Sequence, residues 1–367
     1  MLIKRNGQER DLSTRFVCLV REDSRVSEYK IDCCPSCEEW NAFLEEHDRD
    51  NLQQSFAFGE ALKALYPNTK IVRLLAKKYE KPVGLVQGFY NQGRVLGGTI
   101  FVEGHHGTGP VIAEGENKNQ VFRELISALE KYAVKNRVPS GSIVHQSEMG
   151  EVLRNMGYKL FCRHNSYKIN LHNGVDKVWR EIDHNKRRNI RKASKAGVEV
   201  NLSTSIENLA LFHQMLQLSS ERVGFEIRPF KYYVEILKIF GKIEKARIFT
   251  AYLRDQPVAG LFVVNAGNTA HALAAGSLPE AWKARPNDLI HWKAIEQACK
   301  EGLSAYNMGA VPDPPGGSLW RWKSEWRGQL EKMPTSNKTF MPKLEQLVIA
   351  PYGKMKKRLA ERTRIPF

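Results

Sequence analysis

An internal duplication is the feature of this sequence that most restricts its fold. Residues 74–90 read LLAKKYEKPVGLVQGFY, and residues 249–265 read FTAYLRDQPVAGLFVVN. Each segment combines a strand-like stretch, a charged turn that ends in Pro-Val, and a second apolar strand that contains glycine. A further strand, a long helix and a short strand follow each segment. Repetition of one supersecondary unit predicts that the chain folds as two copies of one domain.

The length of the chain agrees with two domains. Its 367 residues exceed the ~100–200 residues of a usual domain and suit a pair. We place the boundary near residues 161–165. This gives a first domain over residues 1–165, a second over residues 166–350, and a basic C-terminal tail over residues 351–367. No linker rich in proline, glycine or serine marks the boundary, so we expect the two domains to pack tightly.

The order of the predicted elements indicates an α/β (α+β) fold with mixed central sheets flanked by helices. Long helices are predicted over residues 117–136 and 287–300, and one strongly basic helix over residues 176–196. Shorter elements include a helix over residues 55–65 and strands over residues 15–20 and 95–102. The repeated unit resembles the GNAT-like acyltransferase superfamily, which includes the acetyl-CoA N-acetyltransferases. That resemblance implies tandem duplicated GNAT-like domains.

The formal net charge of +16 favours contact with polyanions such as RNA, a nucleotide-activated sugar or an anionic membrane surface. A lysine-rich exterior without a polyanionic partner is equally consistent with it. Residues 1–12 lack the apolar core of an export signal. No stretch approaches ~18 uninterrupted apolar residues, so we predict a cytoplasmic protein without a transmembrane segment. The basic tail is suited to peripheral contact with RNA or a membrane.

The clustered cysteines and histidines do not predict a metal site. Zinc needs four ligands, and the group of Cys33, Cys34 and Cys37 has no second C-x-x-C or H-x-x-x-H elsewhere. Ser36 and Glu39 instead form the capping box of a helix that follows. A pair of histidines at 105 and 106 lies in a glycine-rich loop. The pair is suited to a metal or a base, but a loop tip is the favoured interpretation.

Three local motifs carry a more specific resemblance. The first is QSFAFGE at residues 54–60 followed by Lys63, and the second is KRRNIRKA at residues 186–193 followed by Gly-Val. The third runs from Gly302 through YNMG at residues 306–309 to LWRWKSEW at residues 319–326. In this order the motifs resemble those of the Fem family (FemABX-like) of aminoacyl-tRNA-dependent peptidyltransferases. Phe58 stands where that family usually has tryptophan.

The resemblance implies an aminoacyltransferase that forms an amide (peptide) bond. Aminoacyl-tRNA would be the donor co-substrate, with no bound cofactor, and the acceptor would be an amine of a peptide, a nucleotide-linked compound or a small molecule. The resemblance places the pair Trp322 and Lys323 at the transfer site. It also implies that Lys63 and an arginine of the basic helix bind phosphates of the acceptor nucleotide or the tRNA. The predicted substrate- and phosphate-binding residues are Lys63, Lys186, Arg187, Arg188, Arg191, Tyr306 and Asn307.

The chemistry of these residue types supports the same assignments. Lys323 lies among tryptophans, where a partly desolvated ammonium exerts a stronger field on an oxyanion than it would in water. Cation–π packing is the alternative role for this lysine. In the basic helix, Arg187 and Arg191 share a face at i,i+4, and such stacking of like charges disfavours a helix unless an anion binds. The alternative is a solvated basic face.

Two other functions remain open. The first is an acyl-CoA-dependent N-acyltransferase that acts on a sugar or a small amine, and the second is a non-catalytic RNA-binding module. Acetyl-CoA enzymes of this superfamily hold the pyrophosphate in an Arg/Gln-x-x-Gly-x-Gly/Ala turn at a helix N-terminus. Neither repeat shows that turn at the expected junction, which favours aminoacyl-tRNA over acyl-CoA as the donor.

Overall fold

The structure is a computed structural model that describes residues 28–94, 96–104, 106–162, 164–242, 244–312 and 315–342. The predicted strand at residues 15–20, the histidine at position 105 and the tail over residues 351–367 lie outside the described residues.

The first half of the chain forms one mixed sheet with helices packed on it. Its strand order in the described residues is β1-β2-β3-β4-β6-β15-β7, with β5 paired to β3. The elements of this half are β1 (Lys30–Asp32), α1 (Cys37–His47), α2 (Phe56–Leu62), β2 (Thr69–Lys78), β3 (Lys81–Asn91), β4 (Ile100–Val102), β5 (Val111–Ile112), α3 (Lys118–Lys135), β6 (Ser140–Val144), α4 (Gly150–Asn155) and β7 (Lys159–Cys162); β15 is Thr335–Thr339.

The second half forms a second mixed sheet of the same design. Its strand order is β14-β8-β13-β12-β11-β10-β9. The elements are β8 (His164–Asn170), α5 (Gly174–Glu181), α6 (His184–Lys195), β9 (Val198–Ser203), α7 (Ile206–Val223), α8 (Phe230–Gly241), β10 (Ala246–Leu253), β11 (Gln256–Ala266), β12 (Thr269–Ser277), α9 (Pro286–Lys300), β13 (Ala305–Pro312), α10 (Gly317–Ser324) and β14 (Gln329–Lys332). Mixed sheets flanked by helices, duplicated in tandem, confirm the predicted fold class.

The duplicated hairpins match in detail. Strands β2 and β3 are joined through Tyr79 and Glu80, and strands β10 and β11 through Arg254 and Asp255; all four residues have positive φ angles. Two such residues in a row make the turn whose twist matches that of the flanking strands. Each hairpin also shifts register at the equivalent place, after Ala76 in one repeat and after Ala251 in the other.

One strand of the second half crosses into the first sheet. The chain passes from the first sheet to the second between β7 and β8, and β8 lies between β13 and β14. Strand β15 follows β14 but returns to the first sheet, where it lies between β6 and β7. The change of sheet at residue 164 lies close to the predicted boundary. Assignment of residues 335–339 to the second domain was wrong, because their backbone pairs with the first sheet.

An apolar core is continuous across the junction. Leu52, Phe58 and Phe89 of the first half pack in one cluster with Phe212 and Phe262 of the second. Burial of these large apolar side chains excludes water from the junction. The halves therefore pack directly on each other, as the missing linker led us to expect.

The predicted basic helix over residues 176–196 is two helices. α5 ends at Glu181, Ile182 is extended, and α6 begins at His184 after the N-cap Asp183. The Asp183 carboxylate accepts a hydrogen bond of 2.8 Å from the backbone N–H of Asn185, and such a cap starts a new helix. The predicted strand over residues 95–102 is also shorter, since β4 covers only Ile100–Val102.

Candidate active site

A cavity of about 370 Å³ lies between the two halves. The first half contributes the end of β4 and the loop after it, with Glu103 and His106, and the second half contributes Arg228, Tyr232 and Tyr233 around the start of α8. A cavity of this size, lined by apolar and aromatic residues with a few polar groups, is typical of a small-molecule site.

The ends of two parallel strands form one wall of the cavity. Strands β4 and β6 pair from Ile100 to Val102, and Gly104 follows the end of that pairing beside Val144 of β6. A β-carbon at Gly104 would lie 2.0 Å from Val144 Cγ1, so the position requires glycine. Glu103 and His106, on either side of this glycine in the sequence, both line the cavity.

The polar groups of the cavity have perturbed acidities. The Glu103 carboxylate forms an ion pair with the Arg228 guanidinium. Burial raises the pKa of Glu103, although the charge of Arg228 acts against that shift. Burial also raises the pKa of Tyr233 to about 12 and the pKa of Tyr232 well above its ordinary value. Both phenols therefore stay neutral and can donate hydrogen bonds at neutral pH.

His106 links this cavity to the second sheet. Its ring centre lies 5.3 Å from that of His271 on β12, and burial lowers the pKa of His271 to about 3. A β-carbon at Gly309 of β13 would lie 3.4 Å from His106 Cε1 and 3.7 Å from the Ala272 carbonyl oxygen. The loop of the first half thus reaches the gap between β12 and β13, which pair only over their first residues, from Thr269 to His271.

A β-bulge in β13 lies beside His106. The pairing of β13 with β8 shifts register between Asn307 and Ala310. The Asn307 side-chain oxygen accepts hydrogen bonds from the Gly309 N–H at 2.7 Å and the Ser166 hydroxyl at 2.8 Å. The Lys323 Nζ donates to the Met308 carbonyl at 2.7 Å and the Ala310 carbonyl at 2.9 Å. These bonds hold the irregular backbone in one conformation.

Comparison with known proteins agrees with this architecture. The sequence model of the acetyltransferase (GNAT) domain family matches residues 180–324. A crystal structure of FemX superposes with a TM-score of 0.69 at 16% identity, covering 87% of this chain and 99% of that one. The chain has a Fem-like tandem GNAT fold.

Two further structures superpose on the chain at low identity. A tandem GNAT protein from the clavulanic acid biosynthesis pathway has a TM-score of 0.59 at 10% identity, covering 85% of this chain and 98% of that one. The C-terminal domain of a suggested lysylphosphatidylglycerol synthetase from Agrobacterium fabrum has a TM-score of 0.53 at 11% identity, covering 82% and 91%. No curated protein sequence matches the chain.

Lys186, predicted to bind phosphate, is buried in the second GNAT-like half. Its side chain is 0% exposed, and its Nζ lies 2.6 Å from Asp288 Oδ1 and 3.2 Å from Glu325 Oε2. The ammonium also lies 4.4 Å from the ring centre of Trp322. A cation enclosed by two carboxylates and an indole has no access to a ligand phosphate, so the prediction for Lys186 was wrong.

The arginines of α6 have different surroundings. Arg187 donates to the carbonyls of Trp179, Arg180 and Ile182 at 3.1, 2.8 and 2.6 Å and so caps the end of α5. Arg191 is exposed, with its guanidinium carbon 5.3 Å from the ring centre of Trp179. These contacts offset the repulsion between Arg187 and Arg191 without a bound anion. The i,i+4 spacing of the two arginines therefore does not by itself indicate a phosphate site. Arg188 is exposed.

Trp322 contacts the first turn of helix α9. Helix α9 follows β12 and begins with Pro286, and its first turn carries Asp288. The Trp322 Nε1 donates to Asp288 Oδ1 at 2.8 Å. The N-terminus of α9 thus already has a buried carboxylate beside it, paired with Lys186 and Trp322, and a negative group is what a helix N-terminus favours.

Tyr306 and Asn307 are buried in β13 and do not line the cavity. Tyr306 is 0% exposed, and its hydroxyl lies 2.8 Å from His291 Nδ1. Burial raises the pKa of Tyr306 and lowers the pKa of His291 to about 3. Lys63 lies at the end of α2, half exposed, with its Nζ 2.5 Å from Glu60 Oε2. The structure therefore does not gather the predicted phosphate-binding residues into one site.

The sequence analysis missed Glu103, Arg228 and Tyr232, which line the cavity. Glu103 directly follows the apolar strand β4, and Arg228 directly precedes Pro229, the N-cap residue of α8. A charged residue at the end of a buried strand can indicate a functional site, but it belongs to no sequence motif and a search for motifs does not find it.

The described part of the chain shows neither a metal centre nor a membrane-spanning helix. Within it, no group of three or more histidine, cysteine, aspartate or glutamate residues is placed to hold a metal ion. Its helices include none both long and apolar enough to cross a membrane. The Ser36 hydroxyl accepts from the Glu39 N–H at 3.0 Å, which confirms that Ser36 caps α1.

We predict that Lys186→Met destabilises the fold by roughly 3–5 kcal/mol, because it leaves the Asp288 charge buried without its cation. The double variant Lys186→Met/Asp288→Asn should recover much of that loss, since the asparagine oxygen still accepts from Trp322. Urea unfolding measures both. Lys192→Met, on the exposed side of the same helix, is the matched control and should change stability by less than about 0.5 kcal/mol. Wild-type stability in Lys186→Met would contradict the burial of this pair.

We further predict a pH-dependent contribution from Lys323. Burial lowers its pKa to about 8 from the ordinary 10.5. Between these pH values the unfolded chain holds a proton that the folded chain lacks, so the free energy of unfolding rises with pH. The neutral amine still has two N–H groups for its two carbonyls.

The measurement is urea unfolding of wild type and Lys323→Met at several pH values. From pH 7.5 to 9.5, the stability of wild type relative to the variant should rise by about 2 kcal/mol. Lys192→Met should instead follow the wild-type curve. A constant difference between wild type and Lys323→Met over this range would show that the Lys323 pKa is not depressed.

Proposed function

We propose that this protein transfers an aminoacyl group from aminoacyl-tRNA to an amine, in the cavity between its two GNAT-like halves. The observation that carries the proposal is the Glu103 carboxylate, which lines that cavity and has a raised pKa. The Fem-like tandem fold supports the same reaction, because FemX has that fold and a suggested lysylphosphatidylglycerol synthetase shares it at lower similarity.

The reaction requires little covalent help from the protein. The ester between amino acid and tRNA is already activated, so the acceptor nitrogen attacks its carbonyl carbon directly. The new C–N bond forms, the C–O bond to the ribose breaks, and the ribose hydroxyl leaves with a proton. The acceptor nitrogen must lose a proton in return. Glu103 is the group that we assign to take it, since a carboxylate with a raised pKa is a better base.

The remaining cavity residues would orient the substrates. Tyr232 and Tyr233 are neutral donors that can hydrogen-bond a carbonyl or developing oxyanion. Arg228 supplies a cation whose side chain is 40% exposed and can therefore reach an anionic group of either substrate. Lys323 acts in this proposal as a positioning residue, because its ammonium holds the bulge next to His106. Its predicted stabilisation of transition-state charge stays a prediction.

Phosphates of the tRNA would contact the exposed cations of α6. Arg188, Lys192 and Lys195 are exposed, and within the described residues none forms an ion pair. Acyl-CoA is the less favoured donor, since Asp288 occupies the helix N-terminus that would hold its pyrophosphate in the second half.

The test of the reaction is a transfer assay with labelled aminoacyl-tRNA or labelled acetyl-CoA and a panel of amines. Label should move from aminoacyl-tRNA, and Glu103→Gln should lower kcat by about 10²–10⁴ because the base is lost. The wild-type rate should also fall as the pH drops through the raised pKa of Glu103, and the variant should lose that dependence.

Glu199→Gln, the same change at an exposed position on β9, is the control and should keep the wild-type rate. Transfer from acetyl-CoA alone would replace our proposal with an acyl-CoA-dependent enzyme. Movement of neither label while RNA still binds would favour an RNA-binding module. A Glu103→Gln variant at full rate would leave the reaction standing but remove its assigned base.

A separate prediction concerns the exposed face of α6. The triple variant Arg188→Ala/Lys192→Ala/Lys195→Ala should weaken tRNA binding and lower the slope of log K against log salt by about 0.7–0.9 for each phosphate that the variant no longer binds. The control triple Lys81→Ala/Lys131→Ala/Lys135→Ala removes the same charge from exposed positions outside α6. Equal slopes for the α6 variant and wild type would identify α6 as a solvated face.

A further inference from the structure

A second cavity, of about 580 Å³, lies on the first half beside the crossing strand β15. Its walls come from α4, from β7 and from the segment that connects β14 to β15. Its residues are His145, Ser147, Gly150, Arg154, Tyr158, Lys159, Leu160, Lys332, Pro334 and Ser336. None of the predicted site residues belongs to it.

Three cations line this cavity without any carboxylate among the lining residues. Arg154 comes from α4, Lys159 from β7 and Lys332 from the end of β14. All three are exposed, and in the part of the chain that the structure describes they have no ion-pair partner. Three like charges around one concavity repel each other and raise the local concentration of anions.

The floor of the cavity is held by buried polar bonds. His145 is 1% exposed, and its Nδ1 lies 2.8 Å from the Gln146 carbonyl oxygen. A carbonyl only accepts, so Nδ1 carries the hydrogen and Nε2 accepts from the Ser336 hydroxyl at 3.0 Å. Burial lowers the pKa of His145, which keeps the ring neutral. The backbone N–H of His145 also donates to the Pro334 carbonyl at 3.0 Å.

The basic cavity and the transfer cavity share one strand as a wall. Lys159 and Leu160 line the basic cavity, and the next two residues of β7, Phe161 and Cys162, line the transfer cavity. In the described sheet β7 is the end strand, so an extended ligand that follows this edge can contact both cavities.

We propose that the basic cavity is a second ligand site, one that binds phosphate groups. The planar guanidinium of Arg154 can bind a phosphate through two parallel hydrogen bonds, and the two lysines add compact positive charge. The Ser147 hydroxyl provides a neutral donor. The phosphate belongs either to the backbone of an RNA or to a nucleotide diphosphate on a smaller substrate. Both sources present the same chemistry to these three cations.

Two variants of the whole chain test this site by different means. Arg154→Ala/Lys159→Ala/Lys332→Ala removes the charge. Gly150→Phe keeps all charge and fills space, since a β-carbon at Gly150 would lie 3.5 Å from His145 Cε1 at the cavity wall. The probes are uridine diphosphate and deacylated tRNA, with binding measured by titration at several salt concentrations. Far-UV circular dichroism checks that each variant is folded.

We expect both variants to weaken binding of at least one probe tenfold or more. The triple variant should also lower the salt slope for tRNA by about 0.7–0.9 for each phosphate that it no longer binds. Weaker binding of tRNA alone identifies an RNA backbone as the source, and weaker binding of uridine diphosphate alone identifies a nucleotide. Lys81→Ala/Lys131→Ala/Lys135→Ala should leave both affinities within twofold of wild type.

Wild-type affinity for both probes in the two cavity variants would overturn the proposal. An equal loss of affinity in the control triple would overturn it too, because diffuse attraction by net charge would then suffice. The measurements involve no transfer reaction. The phosphate site can therefore fail while aminoacyl transfer stands, and the reverse is equally possible.

Discussion

The crossing of strand β15 from the second half of the chain into the first sheet is the interaction on which the rest of the structure depends. This strand lies between β6 and β7, which both belong to the first half. The backbone N–H and C=O groups along both edges of β15 are thus paired only when this strand has docked between two strands of the other half. The crossing also creates the two cavities, because Thr335 lines the transfer cavity and the adjacent Pro334 and Ser336 line the basic one.

Several cations that the sequence marks as phosphate-binding or catalytic are used to hold the fold together. Lys186 neutralises a buried aspartate, Arg187 ends a helix, and Lys323 fixes a bulge. A run of basic residues has the same appearance whether each side chain faces solvent or the core. Lys186 and Arg187 are neighbours on α6 but have different roles, because α6 packs against α9 and successive residues of a helix point to different sides of it.

The candidate site is assembled from segments that carry no recognisable motif. Glu103 and Arg228 are 125 residues apart in the chain and meet as an ion pair across the junction. Lys323 and Trp322, which the Fem resemblance did point to, lie behind the bulge and the α9 N-terminus rather than in the cavity itself. Family motifs thus located the supporting framework of the site, while the groups that line the cavity became visible only through their burial and their neighbours.

The sequence alone determined the features that depend on near neighbours in the chain. The two hairpins, the apolar face of α3 with Val121, Leu125 and Leu129 buried, and the cap at Ser36 all follow from turns, periodicity and local hydrogen bonds. Tertiary structure decided which strand lies beside β6 and β13, and which charges are buried. His145 and Ser336, for example, are 191 residues apart. Contacts between residues so far apart in the chain depend on how whole sheets pack. No local pattern in the sequence predicts that packing.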